Sequence, residues 1–325
     1  MNRHAAEADP APTEQGFAPG HYAFLDCGDG RRLERFGGVL TDRPAPAADF
    51  PRRAPEALWR AAALRYDGGA WIGGPPPDGW RVEWNGVVLG LRAAAGGQVG
   101  MFPEQIRAWQ RLRAVRARRA LALFGYTGAS TLAAAAGGAS EVVHVDASPT
   151  AVRWARENAD RLGGGTGVPA ASRESASVPR LRWLVEDAGR YVERARRRGK
   201  RFDAVALDPP TFGRGPRGET WQLSKDLPAL LAGTAALLSE HARLLLVSAH
   251  TPGCRGRSLA RLLAAALAAA GRDDGQIESE DWRLESTEGF NGLPVGAAAW
   301  WRRGRISPLP PVIPAKAEIQ ARGER

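Results

Sequence analysis

Cysteine is scarce in this sequence: Cys27 and Cys254 are the only two among 325 residues. Two cysteines exclude a disulfide-stapled scaffold and a four-cysteine zinc site, and neither lies at ligand spacing from a histidine, so we expect no bound metal. The first residues lack the apolar stretch of a secretory signal, and no run of about 18 apolar residues could cross a bilayer. The sequence therefore predicts a cytoplasmic protein without a membrane partner.

Acidic residues are outnumbered by basic ones. Lys and Arg total 45 against 35 Asp and Glu, which gives a formal net charge of +10 and a pI near 10.6. Such an excess favours an acidic partner, most simply a nucleic acid, whose phosphates the basic side chains would neutralise. The chain is also rich in Ala, Arg, Gly and Pro, and Arg in place of Lys raises the pI without any functional cause. Charge alone therefore admits both interpretations.

Short apolar segments separated by turn residues fill the first third of the chain. We expect a disordered tail over residues 1–18 and a small β-rich domain over residues 19–100. Within it, Trp84-Asn85-Gly86-Val87 predicts a tight hairpin, because Asn-Gly readily adopts the positive φ angles of such a turn. We interpret Trp80 and Trp84 as core residues rather than base-stacking ones. Residues 306–325 are Pro-rich and then polar, and we expect a second disordered tail there.

Apolar strands alternate with helical segments over residues 101–305. Continuous apolar strands joined by helices are typical of a parallel sheet that is covered on both faces. The sequence therefore predicts an α/β fold with a Rossmann-like, doubly wound sheet of seven mostly parallel strands, and a low-complexity loop over residues 163–179. We expect strands at 120–124, 141–146, 181–186, 202–208 and 243–249, helices at 129–137, 149–162, 188–199, 225–239 and 257–270, and closing strands at 276–285 and 295–303.

The turn between the first of these strands and its helix contains two glycines, Gly125 and Gly128. Glycine lets the backbone approach a ligand closely, although such a turn is also compatible with a purely structural role. The second strand ends in Asp146, eighteen residues after Gly128, where a carboxylate can accept hydrogen bonds from both hydroxyls of a ribose. A pyrophosphate site normally has three glycines, so two favour a smaller adenosine-type cofactor such as S-adenosylmethionine.

Three successive strand ends carry an acid. After Asp146, the third strand is followed by Asp187, which could bind the adenine amine, cap the next helix, or do both. The fourth strand ends in Asp208, which opens the sequence Asp208-Pro209-Pro210-Thr211-Phe212. Two prolines cannot continue a strand, so they place the acid on a stiff turn. Because the carboxyl ends of the strands form the ligand crevice of an open α/β sheet, the pattern predicts a binding site at this edge.

Together these segments resemble the class I S-adenosylmethionine-dependent methyltransferases, and more narrowly the group that methylates 23S ribosomal RNA of the large subunit. The resemblance covers roughly residues 20–300 and is more specific about methyl transfer than about substrate. The segments that carry it are residues 25–44, GMFPEQIRAW (100–109), LFGYTGAS (123–130), VVHVDASPTAV (142–152), LVEDAGRYV (184–192) and FDAVALDPPTFGRG (202–215).

The resemblance implies roles for individual residues around the cofactor. The glycine turn would line its methionine part, Asp146 would hold the ribose, and Asp187 would meet the adenine edge. Gln105 would lie near the cofactor carboxylate or the mouth of the cleft. Ile106 stands where many relatives have an arginine, and Arg107 is the candidate substitute. The full set of expected cofactor-binding residues is Phe124, Gly125, Tyr126, Thr127, Gly128, Asp146, Ala147, Ser148, Asp187, Ala188 and Gln105.

The expected catalytic residues are Asp208, Pro209 and Phe212. Methyl transfer from a sulfonium needs little acid or base assistance, so the enzyme mainly positions the nucleophile in line with the methyl group. By resemblance to methyltransferases with an (Asp/Asn)-Pro-Pro-aromatic motif, the Asp208 carboxylate and the Pro209 carbonyl would accept hydrogen bonds from the target nitrogen. Phe212 would stack on a flat base, although it lies one position later than in the simplest motif. The base would have to be single-stranded or flipped out.

Carbon methylation of a pyrimidine is a competing chemistry, because it needs a cysteine nucleophile. Ala249 stands where related cytosine methyltransferases carry that cysteine, and Cys254 could serve only if its loop folded back. The sequence therefore disfavours this chemistry. His250 could act as a base or touch substrate, but a satisfied surface or core histidine is the favoured interpretation. The basic residues of loop 213–226 suit either RNA phosphates or a solvated lid.

The leading hypothesis is a methyltransferase that modifies a base nitrogen in RNA, most simply ribosomal RNA. Because planar amides satisfy the same two hydrogen-bond acceptors, methylation of a protein amide or a small metabolite is the first alternative. A non-catalytic RNA-binding protein that kept the fold is the second, and the retention of Asp146, Asp187 and Asp208 argues against it. A nucleotide dehydrogenase is the most distant alternative because the phosphate cradle is incomplete. Oligomeric state has no signal in the sequence.

Overall fold

The computed structural model describes Phe17 and residues 21–162, 179–289 and 292–304. The two expected tails and the expected loop over residues 163–179 lie outside the described residues, except for Phe17 and Pro179. Phe17 is buried and forms an isolated bridge with Trp84, so ordered packing begins inside the stretch assigned to the N-terminal tail. Within the described part of the chain, no helix is both long and apolar enough to cross a membrane.

The N-terminal region forms a five-stranded sheet and a separate hairpin. In the sheet, neighbouring strands follow chain order and pair antiparallel, except that the third and fourth run parallel. The predicted Asn-Gly hairpin is confirmed: Asn85 and Gly86 have φ angles of 45° and 78°. The elements are β1 (Tyr22–Gly28), β2 (Arg31–Phe36), β3 (Val39–Pro44), α1 (Glu56–Arg60), β4 (Leu64–Tyr66), β5 (Trp71–Gly73), β6 (Arg81–Trp84) and β7 (Val87–Gly90).

A seven-stranded sheet forms the rest of the fold, with strand order β10-β9-β8-β11-β14-β16-β15. The first five strands in that order are parallel, and β16 and β15 close the edge antiparallel, which confirms the predicted α/β class. The elements are α2 (Ile106–Ala114), β8 (Arg119–Leu123), α3 (Ala129–Ala136), β9 (Glu141–Asp146), α4 (Pro149–Leu162), β10 (Arg180–Val185), α5 (Ala188–Arg197), β11 (Ala204–Leu207), β12 (Phe212–Arg214), β13 (Thr220–Gln222), α6 (Leu223–Ala235), β14 (Leu244–Ala249), α7 (Gly256–Ala269), β15 (Gln276–Leu284) and β16 (Leu293–Arg302).

The central strands are mostly apolar because both of their faces are covered. In β14, Leu244 and Leu246 pack into one core cluster, and Leu245 and Val247 pack into another on the opposite face. Successive side chains of a strand point to opposite faces, so an unbroken apolar run fits only a sheet with helices on both sides. The carboxyl ends of β8, β9 and β11 consequently lie together at one edge.

The N-terminal hairpin is packed onto this sheet rather than standing apart from it. Trp84 is 1% exposed and meets the ring of Trp109 in α2 at 5.6 Å between centroids. Trp80 is also buried, and its indole donates to the carbonyl of Phe36 at 2.6 Å, so the interpretation of both tryptophans as core is confirmed. The two regions therefore share one hydrophobic core.

A buried charge pair stabilises the N-terminal sheet. The guanidinium of Arg43 is 2% exposed, donates to Glu34 and also donates to the carbonyl of Gly97 at 3.1 Å. Removing Arg43 takes away its hydrogen bonds to the Glu34 carboxylate, which keeps Arg32 and the Tyr22 hydroxyl as partners. We expect Arg43→Met to lower the free energy of unfolding by about 1.5–3 kcal/mol, the range for a hydrogen bond to a charged group, measured by urea denaturation. Arg65→Met is the matched control, because Arg65 is 56% exposed and its loss should cost about 1 kcal/mol or less. Equal losses would contradict this account.

Candidate functional site

The turn from β8 into α3, residues Phe124–Gly128, has an unusual backbone, and we call it the glycine turn. Phe124 and Tyr126 have φ angles of 54° and 48°, which side-chain-bearing residues rarely adopt, and Gly128 has φ of 95°. Backbone strain of this kind costs about 1–3 kcal/mol per residue and persists where the surrounding structure fixes it, often at functional sites. The turn thus holds its backbone close to the end of the neighbouring strand, where the Gly125 N–H donates to the carbonyl of Val145 at 3.1 Å.

A buried histidine forms the floor of the glycine turn. A Cβ atom on Gly125 would lie 2.4 Å from Cε1 of His144, so no side chain fits at this position. His144 is fully buried, and its Nδ1 lies 2.9 Å from the Thr131 hydroxyl. Burial and the charge of Arg156 lower the pKa of His144 to about 3, so the ring is neutral at physiological pH. The neutral, fully buried His144 ring therefore limits how closely the backbone of the glycine turn can approach it.

Asp146 ties the glycine turn to the next strand end. Its Oδ2 accepts from the Tyr126 N–H and its Oδ1 from the Ser148 N–H, both at 2.8 Å. Burial raises the pKa of Asp146, while these two backbone donors act to lower it. Ala147 is half-buried and Ser148 is exposed at the start of α4, where its hydroxyl accepts from the Ala151 N–H. Asp146, the residue predicted to bind the ribose, therefore contacts the turn that is predicted to line the methionine part of the cofactor.

Asp187 lies at the third strand end and caps a helix. Its side chain accepts from the Arg190 N–H at 2.9 Å, which is the helix N-cap that the sequence left open as an alternative. Ala188 is the buried first residue of that helix. This contact occupies Oδ1, and an N-cap carboxylate can bind a further donor with its remaining lone pairs.

Asn158 also supports the glycine turn, and the sequence interpretation gave it no role. This fully buried amide donates to the carbonyl of Thr127 at 2.9 Å and accepts from the Gly90 N–H at 2.9 Å. The Thr127 hydroxyl in turn donates to the carbonyl of Gly100 at 2.5 Å. In the sequence, the only sign of this role was a polar residue among the apolar positions of α4. These bonds fix the turn to the N-terminal hairpin.

The Asp-Pro-Pro turn (Asp208–Pro210) begins with a carboxylate that two other segments hold in place. Oδ1 of Asp208 accepts from the Ser248 hydroxyl at 2.7 Å and lies 3.2 Å from Nε2 of His250. Gln105 joins the same group, because its Nε2 lies 3.1 Å from the Ser248 hydroxyl and 3.0 Å from Nε2 of His250. Of the expected cofactor residues, Gln105 is thus the one that lies against Asp208 rather than against the glycine turn.

His250 is a charged partner of Asp208. Its Nδ1 lies 2.8 Å from the Val295 carbonyl and 3.4 Å from Oε1 of Glu104, and its ring stacks on Phe102. Burial lowers the pKa of His250, but Asp208 and Glu104 outweigh burial and raise it to about 10. Burial likewise acts to raise the pKa of Asp208, and His250 reverses this and lowers it. The favoured sequence interpretation, a satisfied surface or core histidine, did not include the contact between His250 and Asp208.

Pro209 and Phe212, the other two predicted catalytic residues, lie in different surroundings. Pro209 is buried, and no described residue donates to its carbonyl, whereas the Pro210 carbonyl accepts from the Trp221 indole at 2.7 Å. Phe212 is 70% exposed on β12 and stacks on no described ring. Trp221 packs instead against Phe124, at 5.1 Å between centroids. The β12–β13 hairpin, which the sequence interpretation treated as an irregular loop, brings Trp221 to this turn.

None of the described contacts joins Cys254 to the Asp-Pro-Pro turn. Ala249 is fully buried in β14 and pairs with Ala297, and Cys254 lies in the loop before α7. Burial, together with the negative charge of Asp281, raises the pKa of the Cys254 thiol. A raised pKa lowers the thiolate fraction, and the thiolate is the nucleophilic form. The raised pKa therefore favours the thiol form of Cys254, which is the weaker nucleophile.

His144 and His250 predict opposite pH responses. The folded-state pKa of His250 is raised, so its stabilising effect is full below about pH 6.5 and is lost as the pH rises toward 10. The pKa of His144 is depressed, so its stabilising effect is present above pH 6.5 and is lost as the pH falls toward 3. At pH 7.5, nitrogen-15 NMR should therefore detect His250 as imidazolium and His144 as neutral. A neutral His250 at that pH would contradict the pairing with Asp208.

Comparison with known proteins decides what kind of site this is. The family described as S-adenosylmethionine-dependent methyltransferase matches residues 30–251. The chain belongs to this family. A methyltransferase crystal structure from Agrobacterium tumefaciens is 32% identical with a TM-score of 0.77, covering 88% of this chain and 91% of that one. A second methyltransferase structure, in complex with SAH, is 18% identical with a TM-score of 0.62, so its likeness shows the fold alone.

Curated relatives of this methyltransferase match over part of their length. Ribosomal RNA large subunit methyltransferase I of Photobacterium profundum is 30% identical over 168 residues, 51% of this chain and 39% of that protein. Ribosomal RNA large subunit methyltransferase K/L of Shewanella frigidimarina is 29% identical over 131 residues, 40% of this chain and 16% of that protein. The methyltransferase thus spans well under half the length of these relatives.

The cofactor of this methyltransferase is S-adenosylmethionine. The glycine turn fits such a group, because Gly125 has no room for a Cβ and the turn therefore presents bare backbone. Asp146 fits the ribose, since a carboxylate at the end of the second strand can accept from two hydroxyls. The ring of Tyr126 lies between Phe102 and Trp154, at 5.4 and 6.2 Å between centroids, which packs the turn against the segment leading to Gln105.

Proposed function

We propose that this methyltransferase transfers a methyl group to a base nitrogen in ribosomal RNA. The observation that carries the proposal is the fixed carboxylate of Asp208. Ser248 and His250 both contact its Oδ1, and the carbonyl of Pro209 next to it has no described donor. An anionic oxygen and a free carbonyl on one rigid turn suit a nitrogen that carries hydrogens, because both groups accept hydrogen bonds.

The cofactor would lie over the glycine turn, with Asp146 on its ribose and Asp187 at the adenine edge. S-adenosylmethionine supplies an electrophilic methyl group when bound. Asp208 and Pro209 then have one task, which is to hold the target nitrogen with its lone pair in line with that methyl group. The nitrogen forms the new bond to carbon, the carbon–sulfur bond breaks, and the nitrogen afterwards releases one proton to solvent. Asp208 stabilises the positive charge that develops on the nitrogen.

His250 serves this arrangement without acting as a base. Its pKa of about 10 keeps the ring protonated at neutral pH, so it has no free lone pair to take a proton. The imidazolium instead orients Asp208 and keeps it ionised. Gln105 and Ser248 complete the same network, so we place all three as positioning residues around the catalytic carboxylate.

Several observations support RNA as the substrate. The curated relatives are named for ribosomal RNA, and the chain carries a formal net charge of +10. Phe212 is exposed on the β12–β13 hairpin between the Asp-Pro-Pro turn and the basic residues Arg214 and Arg217. An exposed aromatic ring beside guanidinium groups is typical of surfaces that bind unpaired nucleotides. A flipped or single-stranded base would reach Asp208 past this hairpin.

Radiolabel transfer tests this proposal. Purified protein, labelled S-adenosylmethionine and total RNA from a strain lacking the gene should give label that ribonuclease releases and protease does not. RNA from the parent strain is the matched control, because its sites are already methylated and should take up little label. Label that appears in protein or in small molecules, with none in RNA, would overturn the choice of RNA and favour an amide or metabolite substrate.

A further inference from the structure

The side chain of Trp221 contacts both turns of the site. Its indole N–H donates to the carbonyl of Pro210 in the Asp-Pro-Pro turn at 2.7 Å. Its ring also packs against Phe124, the first residue of the glycine turn, at 5.1 Å between centroids. One side chain therefore bridges the turn that is predicted to line the methyl donor and the turn that is proposed to hold the acceptor.

The β12–β13 hairpin directs this side chain inward. Trp221 is 9% exposed, whereas its neighbours Thr220 and Gln222 are exposed, as alternation along a strand requires. A two-stranded hairpin is at best marginally stable by itself, so contacts outside the hairpin must fix its position. One of them is the ion pair between Glu219 and Arg190 of α5, at 3.1 Å. The contacts of Trp221 are the ones that join the hairpin to both turns.

The Asp-Pro-Pro turn needs such a contact because its two prolines have no N–H groups. That part of the backbone can be fixed only through its carbonyls. The Pro210 carbonyl accepts from Trp221, and the next carbonyl, that of Thr211, accepts from the Leu223 N–H at 3.0 Å. The carbonyl of Pro209 has no described donor, and it is the one proposed to accept from the target nitrogen. Trp221 thus fixes the peptide group that directly follows the proposed acceptor carbonyl.

We propose that Trp221 is a positioning residue for methyl transfer, which holds the Asp-Pro-Pro turn in place relative to the glycine turn. The inference rests on the proposed function, because it takes Asp208 and Pro209 as the groups that bind the methyl acceptor. In-line transfer depends on the distance between donor and acceptor, and a misplacement of about 1 Å can slow a reaction about a hundredfold. Trp221 therefore acts on the rate of the chemical step rather than on the affinity for the cofactor.

The Trp221→Phe variant tests this role. It keeps an aromatic ring beside Phe124 but has no donor for the Pro210 carbonyl. The assay is single-turnover transfer to total RNA from a strain lacking the gene. We expect its rate to fall about tenfold or more, because the acceptor turn loses a fixed point. The affinity for S-adenosylmethionine, measured by calorimetric titration, should stay at the wild-type value.

Trp80→Phe is the matched control. Trp80 is also buried, and its indole donates to a backbone carbonyl, that of Phe36, at 2.6 Å. Each variant loses one hydrogen bond of the same kind, so both should show a similar decrease in melting temperature. Only Trp221→Phe should slow methyl transfer. A merely structural tryptophan would move the melting temperature without this difference in rate.

Nitrogen-15 NMR of the wild-type chain supplies a second measurement that needs no acceptor and no variant. The indole N–H signal of Trp221 should exchange slowly with solvent, because it is hydrogen-bonded to Pro210. It should also shift when S-adenosylhomocysteine saturates the cofactor site, because the Trp221 ring packs on the glycine turn. The indole signal of Trp80 should not respond to this ligand.

Three results would overturn the inference: equal transfer rates in Trp221→Phe and Trp80→Phe, a loss of cofactor affinity that accounts for the slower transfer, or a Trp221 signal that ignores S-adenosylhomocysteine. If label appears in protein instead of RNA, the same rates are measured on total protein from the deletion strain. Failure of the RNA assignment is therefore distinguishable from failure of the role of Trp221.

Discussion

Replacing Asp208 with asparagine is expected to slow methyl transfer to RNA about a hundredfold to a thousandfold, with the affinity for S-adenosylmethionine unchanged. Asparagine keeps the size of the side chain but loses the charge that stabilises the developing cation on the target nitrogen. It also places an amide where the Ser248 hydroxyl and His250 now donate to one anionic oxygen. The cofactor residues lie at other strand ends and keep their contacts. Single-turnover rates and calorimetric titration of the cofactor measure the two quantities separately.

Asp203→Asn is the matched control for this variant. Asp203 lies just before β11, at the opposite end of the strand from Asp208, and accepts from two backbone N–H groups and the Ser239 hydroxyl. Its loss should lower stability but leave the transfer rate close to that of wild type. Alanine at position 208 is less informative, because it removes the carboxylate that Ser248 and His250 contact and would lower stability together with the transfer rate. A nearly normal rate in Asp208→Asn would remove this residue from the catalytic assignment.

Adding one methyl group to the glycine turn should have the second large effect. In Gly125→Ala, the new Cβ would lie 2.4 Å from the ring of His144, which is itself fully buried and cannot move aside. The turn must lift toward the cofactor, so we expect its affinity to fall at least tenfold. Overpacking of this kind also costs about 1–3 kcal/mol of stability. Calorimetric titration and thermal unfolding report the two effects.

Gly74→Ala separates the clash from the general effect of replacing glycine. A Cβ at Gly74 meets nothing within 4 Å, and its φ lies outside the range that side chains avoid. We expect wild-type affinity and stability from this variant. If Gly125→Ala bound the cofactor as tightly as Gly74→Ala does, the glycine turn would not be the cofactor cradle.

The sheet could be predicted because local patterns determine it. The valine-rich segment over residues 141–146 fits a strand that is covered on both faces, and that strand is observed with the predicted bounds. Asn85-Gly86 predicted its hairpin through backbone preference alone. The strand-end positions of Asp146 and Asp208 followed from the sheet, because parallel strands end at a common edge.

Contacts between distant segments could not be predicted in the same way. Gln105 and His250 are separated by 145 residues, yet they meet at Asp208. No periodicity or turn signal relates these positions, so Gln105 was assigned from resemblance and His250 was read as a satisfied histidine. The β12–β13 hairpin is a similar case, because its short strands interrupt a Gly-rich basic segment. Pairing between its strands, rather than local preference, brings Trp221 to the Pro210 carbonyl.

Nucleoside mass spectrometry of ribosomal RNA from a deletion strain tests the central claim most directly. The account predicts that one methylated nucleoside, modified on a base nitrogen, disappears on deletion. Expression of the wild-type chain should restore it, and expression of Asp208→Asn should not. A nucleoside profile that is identical with and without the gene would contradict RNA methylation by this protein, and loss of a carbon-methylated pyrimidine would contradict the role of the Asp-Pro-Pro turn.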